Sequence, residues 1–141
     1  MSRSPVFPMF GSGRALMQPV FVEDLAAGIV TAITKGGLEF KEYNLCGPEP
    51  ISYREIVETI LQILHRRVVL VSVNTHAAAV IARYAQRIPG FPVTEEQVLR
   101  LLEDKAFDIS AAVTDLDYRP RSFLDGMSLE IAEMRSAGAV R

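Results

Sequence analysis

The sequence has little of several features that mark particular classes of protein. Its 141 residues include one cysteine and no tryptophan, and its formal net charge is −2. Because Cys46 has no partner for an internal disulfide, we expect the chain in a reducing compartment, the cytoplasm. The nearly balanced charge gives no electrostatic reason to expect nucleic acid or an anionic membrane surface as a partner.

Long hydrophobic runs are also missing. No window approaches the ~20 apolar residues that a membrane-spanning helix needs. The first residues, 1–5, carry one positive charge but lead into no apolar run, so they do not predict a signal peptide. A chain of this length can bury a core without metals or disulfides. We therefore expect a single domain over residues 1–141 and no membrane insertion.

The pattern of apolar residues predicts three strands after an irregular start. Residues 1–17 are rich in proline, glycine and serine, which predicts an irregular arm. Strands are predicted over 18–22, 42–46 and 66–73. Within the last of these, the uninterrupted run 68–71 is typical of a strand that is covered on both faces.

Helical spacing follows each of these strands. Glu23 and Asp24 supply the acidic first turn of a helix that ends at Gly36-Gly37. Ser52 and Glu55 have the spacing of a capping box, which begins a second helix. The apolar stripe predicted for the first helix consists of Leu25, Ile29, Val30 and Ile33. Further helices are predicted over 74–86, from 94 onwards (a second capping box), over 108–116 and over 122–137. The sequence therefore predicts an α/β fold, in an α+β-like arrangement of about three strands and five to six helices.

Four segments in order carry a resemblance to a known family. They are Gly11-Ser12-Gly13 with 19–26, then 43–56, then 91–104, and last 108–112 with 116–120. Together they resemble the C-terminal part of an extended or atypical short-chain dehydrogenase/reductase, of the NAD-dependent epimerase/dehydratase superfamily. The third segment is similar to atypical members related to the NAD(P)H-binding accessory subunit of respiratory complex I.

The resemblance implies a parent protein in which a Rossmann domain holds NAD or NADP and the C-terminal part supplies the substrate pocket. The Tyr-x-x-x-Lys pair of the family is absent, because none of the four tyrosines has a lysine four residues later. Gly11-Ser12-Gly13 lacks the third glycine of a dinucleotide-binding fingerprint, and we predict no strand before it. We therefore expect no catalytic residue, no cofactor and no redox activity in this chain alone.

Candidate substrate-binding residues lie in the loops 10–19 and 46–50, where such clefts form. They are Arg14, Gln18, Pro19, Cys46, Gly47 and Pro48. Sugar-nucleotide members of the family usually carry an arginine just before the strand, where it can grip a phosphate. The matching position is Met17, with Arg14 displaced from it. This departure favours the atypical branch.

Several of these residues also have a simpler interpretation. Asp24 can orient a loop at the cleft, but a role at the helix start is favoured. Cys46 has no basic neighbour in sequence that would stabilise a thiolate, so a small buried side chain is favoured. The two histidines lie in separate segments and give no metal signal.

Two alternatives remain open at this stage. The parent protein is either a catalyst or a non-catalytic cofactor-binding scaffold, which a Tyr-x-x-x-Lys pair upstream would distinguish. The other alternative is a free-standing interaction domain, whose gene would begin at Met1. Removal of a Rossmann partner would expose apolar surface at 68–71 and 20–22, so we expect self-association, as a homodimer.

Overall fold

The computed structural model describes residues 5–38, 42–74, 100 and 103–139. The chain divides into two compact units. Unit 1 comprises Met1–Leu16 and Ser52–Asp104, and unit 2 comprises Met17–Ile51 and Lys105–Arg141. In chain order the described elements are β1 (Val6–Phe10), β2 (Leu16–Met17), α1 (Val22–Thr34), β3 (Ile51–Ser52), α2 (Tyr53–Ile63), β4 (Val69–Val73), α3 (Ser110–Leu116) and α4 (Phe123–Ser136).

Unit 1 is built on the parallel pair of β1 and β4, with Val6 opposite Val69 and Phe10 opposite Val73. The predicted strand over 66–73 is confirmed over residues 69–73, whereas residues 66–68 lie outside it. The prediction of an irregular arm over residues 1–17 is wrong at Val6–Phe10 and Leu16–Met17, which are strands, whereas residues 11–15 between them form no regular element. The proline of β1 is tolerated because, in the described part of the chain, β1 has a ladder partner on one side only.

The two faces of this sheet differ in burial. Met9 is fully buried, although Phe7 on the same face is 39% exposed, whereas Val69 and Val71 on the other face are about half exposed. The prediction that β4 is covered on both faces is therefore wrong for this chain. The expectation of exposed apolar surface in this strand is confirmed.

Helix α2 begins with the predicted capping box. The Ser52 Oγ accepts from the Glu55 amide at 3.2 Å, and the Ser52 amide donates to the Glu55 carboxylate at 2.7 Å. Hydrogen bonds to the Glu55 carboxylate from the Ser52 side chain and from the Ser52 amide hold the pKa of Glu55 below its ordinary value. The helix buries Val57. It ends where His65 adopts a left-handed backbone conformation, with the Arg66 amide donating to the Leu61 carbonyl.

The predicted strand over 18–22 is wrong. The strand of this region is the shorter β2, which pairs with β3, and α1 begins at Val22. Pro19 has no amide hydrogen to donate to a ladder. The acidic first turn formed by Glu23 and Asp24 is confirmed.

The predicted buried stripe of α1 is also wrong in part. Ile29, Val30 and Ile33 are exposed, and the buried position of the helix is Gly28. A Cβ at that position would lie 3.0 Å from the Tyr118 ring, so α1 packs there by close backbone approach. The core around this contact consists of Ala112, Leu116 and Tyr118, with Val20, Ala32, Leu38, Tyr43 and Leu45 against it.

Residues 42–46 form no strand. Their side chains instead reach the neighbourhood of α3: the Asn44 amide nitrogen donates to the Asp108 carbonyl at 3.0 Å, and the Tyr43 hydroxyl donates to the Asp115 carboxylate at 2.9 Å. The predicted helices over 108–116 and 122–137 are confirmed as α3 and α4. The helices predicted over 74–86 and from residue 94 lie almost entirely outside the described residues. The α/β class is confirmed.

Candidate substrate cavity

A cavity lined by described residues of unit 1 has a volume of about 990 Å³. The carboxyl ends of parallel strands meet at one edge of a sheet, and the cavity lies at this edge, where β1 and β4 end. Ser52 and Arg54, at the beginning of α2, form another wall of the cavity. Its lining consists of Gly11, Ser12, Gly13, Arg14, Ser52, Arg54, Ser72, Val73 and Asn74.

A glycine turn shapes this cavity. Gly11 and Gly13 both have positive φ, of 68° and 70°, which favours glycine. A Cβ on Gly13 would lie 2.5 Å from the Met9 sulfur and 3.2 Å from the Arg54 Cβ. The Gly13 carbonyl accepts from the Arg54 amide at 3.0 Å, and the Gly11 amide donates to the Val73 carbonyl at 2.9 Å. The turn is thereby fixed between the strand ends and α2.

Two arginines give the cavity its charge. Arg14 is exposed and makes no ion pair with a described residue. Arg54 makes one long contact, 3.6 Å to Glu58, between largely exposed groups. The described lining residues include no carboxylate. Because guanidinium groups bind phosphate and carboxylate oxygens, the wall of the cavity suits an anionic group.

The glycine turn does not fit a dinucleotide. We predicted no strand before Gly11, and this is wrong, because β1 leads directly into the turn. A dinucleotide-binding turn must open a helix whose N-terminus meets the pyrophosphate. Here the chain runs on into β2 instead.

The other predicted site residues lie in unit 2, where Gln18 and Gly47 are hydrogen-bonded to each other. The Gln18 side chain donates to the Gly47 carbonyl at 2.8 Å and accepts from the Phe107 amide at 2.7 Å. The Gly47 amide donates back to the Gln18 carbonyl at 3.3 Å. Gln18 therefore links the two loops, and both polar atoms of its side-chain amide are hydrogen-bonded within the protein. Pro19 lies against Gly47, and Pro48 is exposed.

Cys46 is held by its backbone. Its carbonyl accepts from the Tyr118 hydroxyl at 3.1 Å. Burial raises the pKa of the Cys46 thiol, and burial together with Asp24 raises the pKa of Tyr118. A raised thiol pKa disfavours the thiolate, which agrees with a packing role for Cys46.

An ion pair in unit 2 was not predicted. The Asp24 carboxylate accepts from the Arg121 backbone amide at 2.8 Å and from two guanidinium nitrogens at 2.8–3.0 Å. The guanidinium also lies 4.4 Å from the centre of the Phe21 ring. Asp24 therefore both lies in the first turn of α1 and fixes the segment before α4, so neither earlier interpretation was complete.

Sequence reasoning missed Arg54, Ser72 and Asn74 as lining residues of the cavity. A usable signal was present for the last two, since they end a predicted strand. Arg54 carried none, because its contact with Gly13 depends on tertiary structure. Among the described residues, no cluster of three or more potential ligands could hold a metal ion. None of the described helices is long and apolar enough to cross a membrane.

Comparison with known proteins gives relatives of greater length. No family model matches the chain. The chain is 28% identical over 113 residues to the mitochondrial NADH dehydrogenase [ubiquinone] 1 alpha subcomplex subunit 9 of Arabidopsis thaliana. That match covers 77% of this chain and 28% of the relative.

Solved structures share the fold. The crystal structure of gox2253 matches 95% of this chain and 41% of its own, with a TM-score of 0.70 and 23% identity. UDP-glucuronic acid 4-epimerase from Bacillus cereus, in complex with UDP-glucuronic acid and NAD, matches 94% of this chain and 36% of its own, with a TM-score of 0.62 and 22% identity. The chain therefore spans less than half the length of each of these proteins. The comparisons confirm the resemblance of this chain to the C-terminal region of an extended or atypical short-chain dehydrogenase/reductase.

Proposed function

We propose that residues 1–141 are the C-terminal, substrate-binding domain of an NAD(P)-dependent oxidoreductase that resembles nucleoside-diphosphate-sugar epimerases and dehydratases. The cavity of unit 1 carries this proposal. It joins strand ends and two arginines, and its described lining residues include no carboxylate, which together suit a phosphorylated small molecule. The epimerase whose fold matches has been solved with a sugar nucleotide and NAD.

Within this proposal, Arg14 and Arg54 hold the anionic group of the substrate. The two loops that carry the other candidate residues have a supporting role, because their polar groups are hydrogen-bonded within unit 2. These residues are Gln18, Pro19, Cys46, Gly47 and Pro48. Arg14 thus takes the part of the arginine that is replaced by Met17. The substrate-binding role predicted for Arg14 is kept, and Arg54 is added to it.

Binding of UDP-glucuronic acid to this chain, measured by isothermal titration calorimetry, tests the proposal. Arg14→Gln and Arg54→Gln are each expected to weaken binding about fivefold, since one exposed charge-assisted hydrogen bond contributes ~1 kcal/mol. Arg119→Gln is the matched control, because Arg119 is an exposed arginine of unit 2. Equal effects of all three substitutions would refute the assignment of the cavity.

The chain alone is proposed to be redox-inactive, because hydride transfer needs a nicotinamide cofactor that a separate domain of the parent holds. We expect NADH fluorescence to be unchanged when the chain is added at ~100 µM, a concentration at which a dinucleotide site of ordinary micromolar affinity would fill. A rise in fluorescence that saturates would show a nucleotide site in this chain.

A second function is favoured by one observation, the similarity to a subunit of NADH dehydrogenase. In that case the parent is a non-catalytic NAD(P)H-binding scaffold, and the cavity of unit 1 serves assembly or stability. Hydride transfer by the parent with a phosphorylated sugar would exclude this alternative. The homodimer expected from the sequence remains a proposal under either function.

A further inference from the structure

Two apolar surfaces of the described residues are exposed. The first is a stripe on α1, which we name the α1 stripe. Its four large side chains are 44–79% exposed, and Ala26 lies among them. The opposite side of α1 already packs through Gly28 against Tyr118. The α1 stripe consists of Val22, Ala26, Ile29, Val30 and Ile33.

The second surface is the outer face of the β1–β4 pair, which we name the valine face. Side chains alternate along a strand, so opposed residues of the two strands share a face. Met9 on the inner face is fully buried, whereas the three valines of the outer face are 45–62% exposed. The valine face consists of Val6, Pro8, Val69 and Val71.

The α1 stripe is long enough to cover the valine face. The valine face runs over two residue steps of each strand, from Val6 to Pro8 and from Val69 to Val71, which is about 7 Å. From Val22 to Ile33 a helix rises about 17 Å. Packing a helix along a sheet is the usual way in which an apolar sheet face is covered. One α1 stripe therefore covers one valine face along its whole length.

Their charged borders are complementary. Glu23, whose side chain is 67% exposed, lies at the beginning of the α1 stripe and has one long contact, 3.3 Å to Arg121. Arg66 and Arg67 precede β4, are exposed, and make no ion pair with a described residue. With α1 parallel to β4, the acidic end of the stripe meets these two arginines.

We propose that the α1 stripe of one copy of this chain docks on the valine face of a second copy, with Glu23 opposite Arg66 and Arg67. The two surfaces are different, so the contact is heterologous. If each copy supplies both surfaces to the other, a closed dimer forms. Otherwise further copies add to the free surfaces and the assembly grows. The inference rests on the proposed self-association and not on the substrate cavity, so either can fail without the other.

Sedimentation velocity at 5 and 100 µM tests the contact with two double variants. Val30→Glu/Ile33→Glu removes the stripe, and Val69→Glu/Val71→Glu removes the valine face. Each is expected to be monomeric at 100 µM, where the unaltered chain associates. An equimolar mixture of the two is expected to form a 1:1 complex, because each variant keeps the surface that the other lacks. Leu129→Glu, an exposed position of α4, is the control and is expected to associate like the unaltered chain.

Charge exchange supplies an independent measurement. Glu23→Lys and Arg66→Glu/Arg67→Glu are each expected to weaken association at least fivefold, and their mixture is expected to recover it. If the glutamates unfold β4 by circular dichroism, Val69→Thr/Val71→Thr replaces that variant with the same expected direction. An unaltered chain that is monomeric at 100 µM, an association that survives both double variants, or a mixture that stays monomeric would each overturn the proposal.

Discussion

Replacing Gly47 with alanine is expected to lower the free energy of unfolding of unit 2 by about 3 kcal/mol, the size of effect produced when a new atom forces packed backbone apart. A Cβ at this position would overlap the carbonyl oxygen of Pro19. That oxygen is backbone and has no rotamer by which to move away. Any shift also breaks the paired hydrogen bonds between Gly47 and Gln18, which fasten the two loops. Urea denaturation followed by far-UV circular dichroism and tyrosine fluorescence measures the change.

Gly36→Ala is the matched control for this substitution. No atom lies within 4 Å of a Cβ built on Gly36, and its φ is not positive. The same chemical change is therefore expected to be neutral, or stabilising by up to about 1 kcal/mol through the unfolded chain. If Gly36→Ala and Gly47→Ala destabilise equally, the close approach of the two loops is wrong.

The same loops show which parts of the fold follow from sequence. The capping box of Ser52 and Glu55 was predicted because both partners lie within one helical turn, where their geometry is set by the chain itself. The acidic first turn of α1 was predicted for the same reason. By contrast, β1 depends on β4, more than 60 residues away in the register of Val6 with Val69. No local pattern reveals such a partner, so the proline- and glycine-rich start was interpreted as irregular.

The faces of elements were harder to predict than the elements themselves. Apolar spacing predicted α1 correctly, yet its close contact with the core uses Gly28, a residue without a side chain. Apolar periodicity does not show whether a glycine is buried, because a glycine contributes no apolar side chain. In β4 the uninterrupted apolar run predicted cover on both faces, but Val69 and Val71 are exposed in this chain. An apolar run shows that a strand can be buried on both faces. The residues that bury it can lie outside the chain to which the strand belongs.

The candidate site residues were predicted from their place in loops. Arg14 was predicted as a candidate substrate-binding residue, and it lines the cavity of unit 1. Gln18 and Gly47 were predicted from their place at loop ends, and the structure shows that they bond to each other. Arg54 entered only through its contact with Gly13. A place at a loop end does not by itself separate a residue that holds a loop from one that faces a cavity, and only tertiary structure distinguishes the two.

Asp24→Asn is expected to destabilise unit 2 by about 2 kcal/mol, because it removes a charge from a largely buried, multiply bonded pair. The Asp24 side chain is 13% exposed and receives the backbone amide and two guanidinium nitrogens of Arg121. An asparagine offers one oxygen instead of two and turns an N–H group toward donors. The segment before α4 then loses its tie to α1, and Phe21 loses the cation above its ring. Chemical denaturation of the two proteins side by side measures the loss.

Glu23→Gln is the neighbouring control, since it makes the same chemical change one residue earlier in the same helical turn. Glu23 is 67% exposed and has a single contact of 3.3 Å with Arg121. Exposed pairs of this kind contribute about 0.5 kcal/mol or less. Both substitutions lose a similar interaction with the α1 dipole, so the difference between them measures how much more the contact of Arg121 with Asp24 contributes than its contact with Glu23. Equal losses would mean that Asp24 acts only at the helix start, and that the fixing of the segment before α4 comes from packing against Phe21.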